Sequence, residues 1–220
     1  MANHIDILCA TRRRPRLLER AVRSFRTLAD GPVRFWLAVD RDDVGSLGEF
    51  AGSEEGGLAS WRALVLPRFG YEGMHEYQNL LASVATAEWL VVIGDDSFCK
   101  TPGWDAKLWA CRDRWVANTE NPADREWSRD HLMHFAIRRR WVEVTGRISA
   151  CRHSDTYVTA VAKEAGLWNP EWVFTVGHVA EGAGPKDRVQ DEVTRQIVYD
   201  SGFPMDEVRR DAALLRAAAL

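Results

Sequence analysis

The first half of the chain alternates short apolar runs with longer segments in which apolar residues recur at helical spacing. The apolar runs predict four strands, at 4–10, 33–40, 61–67 and 88–94. Between them, helical periodicity predicts helices at 16–28 and 72–87. Nearly continuous apolar strands that alternate with amphipathic helices are typical of a parallel sheet covered on both faces. We therefore expect an α/β fold with a mostly parallel central sheet flanked by helices.

The second half of the chain is less regular. Its patterns predict, in chain order, an irregular loop, a strand followed by a short helix, a longer helix, a strand, and one or two terminal helices, at 117–131, 132–146, 154–165, 172–176 and 186–220. Gly166 is expected to end the longer helix, because glycine is the usual residue just past a helix end. Neither a repeat nor a linker divides the sequence, so we expect a single domain over 1–220.

Composition indicates a globular protein and argues against several classes. Of the 220 residues, 46% are hydrophobic and 28% are charged, and the net charge of −3 is too small to indicate a dedicated nucleic-acid surface. No apolar run approaches the roughly 20 residues that cross a bilayer, so we expect no membrane span. The first residues carry their charges after a short apolar run, unlike a signal peptide, which favours a cytoplasmic protein. The four cysteines form no CxxC pair and are expected to be free thiols.

The ends of the predicted strands carry the candidate chemistry. The apolar run LVVIG leads directly into two adjacent carboxylates, Asp95 and Asp96, which repel each other and are costly to bury. Thr11 and Asp40 lie at the ends of two other strands. Ligands of parallel α/β sheets bind at the carboxyl ends of the strands, so these residues are expected to meet in one crevice. A divalent cation would offset the repulsion between the two aspartates.

These segments resemble a known family. The stretch IDILCATRRRPRLLERAVRSF and the later Gly94-Asp95-Asp96 are similar to the GT-A glycosyltransferases, especially those of the large family-two type. The resemblance implies a single Rossmann-like domain of the nucleotide-diphospho-sugar transferase kind. Its nucleotide-binding half would cover about 1–100, its acceptor-binding half about 101–180, and C-terminal helices about 185–220. The family pattern often has aspartate where this chain has Gly94, which leaves open how the ribose is held.

The resemblance also implies roles at the metal and the nucleotide. Asp96 matches the metal ligand of the family's DxD-type motif, and His178 matches a late histidine that can complete a Mn²⁺ or Mg²⁺ site. Asp95 would contact the ribose or the metal shell. Thr11 matches the position that touches the nucleotide, and Asp40 matches the acidic residue that accepts a hydrogen bond from the base. Because uracil N3–H would be a suitable donor to Asp40, UDP is favoured.

Further matches concern the diphosphate, the donor pocket and the general base. Arg12 and Arg14 lie in the turn beside the expected phosphates, where a forked guanidinium can bind diphosphate. The resemblance assigns Gly73 and Asn79 to the donor pocket. Asp155, which opens the predicted helix at 154–165, matches the carboxylate that takes the proton from the acceptor hydroxyl in inverting enzymes. A helix N-terminus would favour its ionised form.

The sequence therefore predicts a metal-dependent inverting glycosyltransferase that uses a nucleotide-sugar donor. Its acceptor could be a glycan, a protein, a small molecule or a nucleic acid. Three alternatives stay open: a nucleotidyltransferase, a non-catalytic nucleotide-binding module, and a glycosyltransferase that acts on modified bases in DNA. TRRRP stands where a nucleotidyltransferase usually has a glycine-rich loop with lysine. A polyanionic acceptor would be contacted by an arginine group and an off-face tryptophan, namely Arg138, Arg139, Arg140, Arg147, Arg152 and Trp109.

Overall fold

The structure is a computed structural model that describes residues 4–123, 125–178 and 202–219. The strands are β1 Ile5–Thr11, β2 Val33–Asp40, β3 Trp61–Leu66, β4 Trp89–Gly94, β5 Ser97–Cys99, β6 Val116–Glu120, β7 Phe135–Arg138 and β8 Trp172–His178. The helices are α1 Pro15–Thr27, α2 Val44–Ala51, α3 Glu54–Leu58, α4 Met74–Val84, α5 Trp104–Ala110, α6 Arg125–Asp130, α7 Arg139–Thr145, α8 Ser154–Ala165 and α9 Met205–Ala219.

The eight strands form a mixed sheet in the order β3-β2-β1-β4-β7-β6-β8-β5. The first four strands of that order are parallel. β7 is antiparallel to both β4 and β6, β8 is parallel to β6, and β5 is antiparallel to β8. The expectation of a mostly parallel sheet is therefore wrong for the second half of the chain. An apolar run reveals a buried strand but not its direction, which depends on how the connecting segments cross the sheet.

Alternating side chains of the central strands pack into two separate apolar layers. In β1, Ile5, Ile7 and Cys9 face one layer, to which α1 adds a stripe of buried side chains that includes Phe25. Leu8 faces the opposite layer, which α4, α8 and α9 cover. Because the central strands β1, β2 and β4 are largely buried and mostly apolar, they are easily recognised in the sequence, as is the apolar run of the more exposed β3. Their carboxyl ends lie at one edge of the sheet.

Most of the predicted elements are confirmed, with shifted ends. The first four strands, α1, α4, β7 with α7, α8 and β8 all form, and Gly166 follows α8 with a φ of +72°. The loop expected at 117–131 is wrong, since it contains most of β6 and all of α6. The three-residue strand β5 is not predicted. Of the expected terminal helices, α9 forms, and the segment 186–201 lies outside the described residues.

The sequence pattern does not predict strand β6, because the residues at its centre are polar. Asn118 and Thr119 are both buried, and their side chains are satisfied by backbone groups of neighbouring segments. The Asn118 amide donates to the carbonyl of Ser128 at 2.8 Å, and the Thr119 hydroxyl donates to the carbonyl of His134 at 2.6 Å. Buried polar groups are tolerated when they are hydrogen-bonded, and these partners exist only in the folded chain.

Within the described part of the chain, no helix has both the length and the apolar character that a membrane crossing requires.

Candidate active site

A cleft of about 640 Å³ opens at the carboxyl ends of β1, β2 and β4. It is lined by most of the residues that the sequence singles out, namely Thr11, Arg12, Arg14, Asp40, Asp95, Asp96, Asp155 and His178. Parallel strands bring the first six to one edge of the sheet. The other two arrive from α8 and from the end of β8. Residues separated by more than 160 positions in the sequence thus surround one space.

The turn after β1 is fixed by the acidic segment that follows β2. Arg13 has a φ of +54°, a left-handed conformation that is unusual for a residue other than glycine. Its backbone N–H donates to the carboxylate of Asp43 at 2.6 Å, which holds that conformation in place. The side chains of the flanking residues, Arg12 and Arg14, both line the cleft.

Asp95 is the more enclosed of the two adjacent carboxylates, with 6% of its surface exposed. The Thr11 hydroxyl donates to one of its oxygens at 2.9 Å, and Arg14 donates to the other at 3.2 Å. Burial nevertheless raises the pKa of Asp95 above its ordinary value. Arg14 also reaches Asp96 at 3.3 Å, so one guanidinium bridges the pair and offsets part of the repulsion between the two carboxylates.

Asp96 and His178 lie together because β5 pairs with β8. Ser97 is opposite His178 in that ladder, which brings the imidazole Nε2 to 3.1 Å from the Asp96 carboxylate. Gly177 leaves room for the ring of Phe98, which would lie 2.4 Å from a Cβ atom at this position and would have to shift. Burial raises the pKa of Asp96, but the hydrogen bond and charge of His178, a backbone hydrogen bond and the charge of Arg14 together outweigh it and lower that pKa.

The pair fits a hexacoordinate divalent ion. Adjacent ligands of an octahedral ion at about 2.1 Å are separated by about 3 Å, close to the distance between Asp96 and His178. Carboxylate oxygen and imidazole nitrogen are both suitable ligands for Mn²⁺. No cluster of three or more His, Cys, Asp or Glu side chains that could hold a metal occurs among the described residues. An ion bound here would need further oxygens from a bound ligand and from water.

The geometry also explains Gly94, where the family pattern often has aspartate. A Cβ atom at this position would lie 2.7 Å from an oxygen of Asp96. The backbone N–H of Gly94 donates to the Ser97 hydroxyl at 3.2 Å, which folds the turn back on itself. Asp96 therefore occupies space that a side chain at 94 would take.

Asp40 forms the other end of the cleft and is held on both oxygens. Only 4% of its surface is exposed. Arg12 donates to one oxygen at 2.5 Å and is anchored in turn by Asp42. Tyr77 donates its hydroxyl to the other oxygen and accepts the backbone N–H of Phe69 at 2.8 Å. Each carboxylate oxygen has about two acceptor positions, so Asp40 keeps capacity for a ligand donor.

Gly73 and Asn79 are next to residues that line the cleft but are not themselves part of its described lining. The Asn79 side chain accepts the backbone N–H of Ile148 and donates to the carbonyl of Ser149, both at 2.8 Å. Gly73 precedes the first residue of α4, and a Cβ atom there would lie 2.5 Å from Phe69. The residues next to them that line the cleft are Met74 and Gln78. The assignment of Gly73 and Asn79 to the donor pocket stays a prediction.

Asp155 faces the cleft from the first turn of α8, with 39% of its side chain exposed. One oxygen accepts the backbone N–H of Thr156 at 2.7 Å, and the other lies 3.7 Å from Nε2 of the buried His131. Burial favours the neutral acid, but the contact with His131 and the Thr156 N–H outweigh it. The pKa of Asp155 is therefore below its ordinary value of 3.8, and the group is an ionised carboxylate near neutral pH.

Several residues of the cleft are not indicated by the sequence patterns. Tyr77 and His131 contact the two carboxylates at opposite ends of the cleft. His134 lies beneath the centre, where its ring stacks on His178 at a centroid distance of 6.1 Å. Burial and the charge of His178 lower the pKa of His134 to about 4, so it is a neutral imidazole. Tyr77 falls on the apolar face of α4, where an aromatic residue is expected in any case.

The arginines considered for a polyanionic acceptor mostly bind other parts of the same chain. Arg138 contacts Glu88, Arg147 contacts Asp211, and Arg152 contacts Glu72. Trp109 is half-buried and packs against the core. Only Arg152 among these residues belongs to the described lining of the cleft.

Solved structures provide an independent comparison. A mannosyltransferase from Pyrobaculum calidifontis, in complex with GDP-Man and Mn²⁺, matches with a TM-score of 0.65 and 14% identity, over 99% of this chain and 75% of that one. Glucosyl-3-phosphoglycerate synthase from Mycobacterium tuberculosis, in complex with Mn²⁺, UDP and glucosyl-3-phosphoglycerate, matches with a TM-score of 0.63 and 12% identity, over 92% and 81%. TarS from S. aureus matches with a TM-score of 0.56 and 10% identity, over 96% and 70%.

Sequence comparison adds no relative: no protein-family model matches the chain, and no curated protein matches it. At identities of 10–14%, the structural matches establish the fold rather than the chemistry. They cover nearly the whole chain, including the sheet whose strand ends form the cleft. The fold of this protein is that of the GT-A glycosyltransferases.

Proposed function

We propose that this protein is a metal-dependent inverting glycosyltransferase that moves a sugar from a nucleotide-sugar donor to a hydroxyl acceptor. One observation carries the proposal. A single cleft contains the Asp96–His178 pair in its centre, the tightly held Asp40 at one end and the ionised Asp155 at the other. Those are the groups that the transfer needs for the leaving diphosphate, the nucleotide base and the acceptor hydroxyl.

Asp96 and His178 would hold the divalent ion, Mn²⁺ or Mg²⁺. When bound, such an ion stabilises the negative charge that grows on the leaving diphosphate. The mannosyltransferase and synthase structures that share this fold contain Mn²⁺. Arg14, which already bridges the two aspartates, lies where it can donate to a diphosphate oxygen once that ligand is present. Asp95 and Thr11 form the adjoining wall, beside the ribose.

Asp40 would accept the base N–H, which favours a UDP-sugar. Its two oxygens are oriented by Arg12 and Tyr77, so the acceptor direction is set before the ligand binds. Arg12 can in addition donate toward a base carbonyl or a phosphate. The glucosyl-3-phosphoglycerate synthase structures contain UDP, whereas the mannosyltransferase contains GDP-Man. Both nucleotides therefore belong in the binding test.

Asp155 would act as the general base. The acceptor hydroxyl loses its proton to the exposed carboxylate oxygen while its own oxygen attacks the anomeric carbon. The bond from that carbon to the diphosphate oxygen breaks, and the nucleoside diphosphate leaves with the bonding electrons. Attack on the face opposite the leaving group inverts the anomeric centre. Thr156 and His131 orient the carboxylate for this step.

The alternatives are less well supported. A nucleotidyltransferase usually carries a glycine-rich phosphate loop with a lysine directly after the first strand, where this chain has TRRRP. A DNA acceptor would use the arginine group of the second half, which mostly contacts acidic side chains and backbone carbonyls of its own chain.

The experiment that tests the proposal measures which leaving group, nucleoside diphosphate or pyrophosphate, the protein releases from its substrate. The protein is incubated with Mn²⁺ and UDP-glucose, UDP-N-acetylglucosamine, UDP-galactose or GDP-mannose, alone and with pools of candidate acceptors, and released nucleoside diphosphate is measured. Parallel reactions contain nucleoside triphosphates and are assayed for pyrophosphate. Release of UDP or GDP that EDTA abolishes is expected. Pyrophosphate release without diphosphate release would favour a nucleotidyltransferase and contradict the proposal.

A further inference from the structure

Gln78 carries a buried carbonyl oxygen with no hydrogen-bond partner. The residue lies in the second turn of α4, and its Oε1 atom is shielded from solvent and out of reach of every donor group that the structure describes. Leaving a buried acceptor unpaired costs stability, so such groups are rare and call for an explanation. A donor that arrives with a ligand would pair this acceptor.

The surroundings of Gln78 support this explanation. Gln78 belongs to the lining of the cleft, which also includes side chains that cannot donate a hydrogen bond, namely Ala10, Ala38, Met74, Val92 and Phe135. None of the described residues donates to its Oε1. Three other buried unpaired atoms are found in the described residues, in Trp36, His75 and Trp89, and none of these belongs to the described lining of the cleft. Gln78 is the one of these four residues that belongs to the lining of the cleft.

The neighbours of Gln78 on α4 indicate the direction in which its side chain projects. Tyr77 reaches Asp40 at the nucleotide end of the cleft. Asn79 reaches Ile148 and Ser149, in the segment that leads toward Asp155. Successive residues of an α-helix project about 100° apart. Gln78 must therefore project between these two directions, toward the space between the nucleotide end and the general-base end.

That intermediate space is where a transferred group has to lie during the reaction. A sugar attached to the diphosphate lies beyond the nucleotide and in front of the attacking acceptor. Sugars are rich in hydroxyl groups that can donate to an amide carbonyl. We propose that Gln78 is a specificity-determining residue whose Oε1 accepts a hydrogen bond from a hydroxyl of the transferred sugar. This inference rests on the proposed function.

The test compares a nucleotide with its sugar conjugate. Gln78→Met keeps the length of the side chain and removes the amide. Binding of UDP and GDP, and of the four nucleotide-sugars named above, is measured calorimetrically with Mn²⁺ for the wild type and the variant. Leu80→Met, an exposed change on the same helix, is the matched control. The variant should bind the preferred nucleoside diphosphate like the wild type and bind its sugar conjugate about 3- to 10-fold more weakly.

A second readout separates this role from a structural one. Removing an unpaired buried acceptor should leave the ligand-free protein as stable as the wild type or more stable, with a melting temperature up to about 2–4 °C higher. A structural glutamine would instead lose stability when replaced.

The outcomes are distinguishable. Equal loss of diphosphate and conjugate affinity, unchanged affinity for both, or a lower melting temperature would overturn the role of Gln78 while leaving the proposed function intact. Failure of the wild type to bind any of these nucleotides would reject the proposed function itself, and the role of Gln78 with it.

Discussion

Replacing Asp155 by asparagine separates the general base from everything else in the cleft. The asparagine carbonyl can still accept the Thr156 N–H that the Asp155 carboxylate accepts at 2.7 Å, so the local geometry should survive. What disappears is the ionised oxygen that faces His131 and the cleft. Because Asp40 and Asp96 contact other residues, donor and metal binding should be unaffected.

The expected loss of reaction rate follows from the role of Asp155 as general base. A positioned general base contributes about 10²- to 10⁴-fold to the rate, which corresponds to about 3–5 kcal/mol of transition-state stabilisation. Desolvation of the carboxylate raises the pKa of Asp155, but the contacts with His131 and Thr156 lower it below 3.8, so the base is ionised between about pH 5 and 8. The wild-type rate should therefore show no acid limb from this group between about pH 5 and 8.

The assay measures nucleoside diphosphate release in single turnovers at saturating donor, with the best acceptor from the screen or with water alone. Asp113→Asn, an exposed carboxylate outside the described lining of the cleft, is the control and should behave like the wild type. Asp155→Asn should bind the donor normally and lose at least about 100-fold in rate. A variant within about threefold of the wild type would refute the assignment of Asp155 as the base.

Three further predictions concern the metal, the nucleotide and the fold. Asp96→Ala should remove the Mn²⁺-dependent part of UDP affinity, whereas Asp113→Ala should not; calorimetry with and without EDTA decides between these results. Tyr77→Phe leaves Asp40 less firmly oriented and the Phe69 N–H unpaired, so UDP should bind about 3- to 10-fold more weakly. Asp6→Asn should lower the free energy of unfolding at pH 7 by about 2–4 kcal/mol, as measured by denaturant titration. Asp6 is buried, yet Arg34 and two backbone N–H groups lower its pKa, so its contribution exists above pH 3.8 and the difference from the wild type should shrink as the pH falls below it.

The sequence alone was sufficient to predict that residues at the ends of the buried parallel strands lie close together. Thr11, Asp40 and the aspartate pair lie at the ends of strands that are mostly apolar, and parallel strands place their carboxyl ends at one edge. Local pattern was sufficient because each strand pairs with a neighbour in the same orientation. His178 and Asp155 came from the family resemblance, not from any pattern of their own.

The remaining features depend on tertiary contacts that no local pattern contains. The direction of β7 depends on its pairing with β4 and β6, and the polar strand β6 depends on partners in other segments, such as the Ser128 carbonyl that accepts a hydrogen bond from Asn118. Tyr77 and Gln78 have the same helical context, yet one contacts Asp40 and the other has no partner. Asn79 is a further example, because no local pattern indicates that its side chain bonds to the backbone at 148–149.

The most direct test of the account is calorimetric titration of UDP and of GDP into the purified protein, first with Mn²⁺ and then with EDTA. The account predicts that one nucleoside diphosphate, UDP in the first instance, binds with Mn²⁺ and that EDTA abolishes this binding, since Asp96 and His178 provide only part of the coordination shell. The absence of binding by either nucleotide, or binding that EDTA leaves unchanged, would contradict the metal-dependent nucleotide-sugar site on which the proposed function depends.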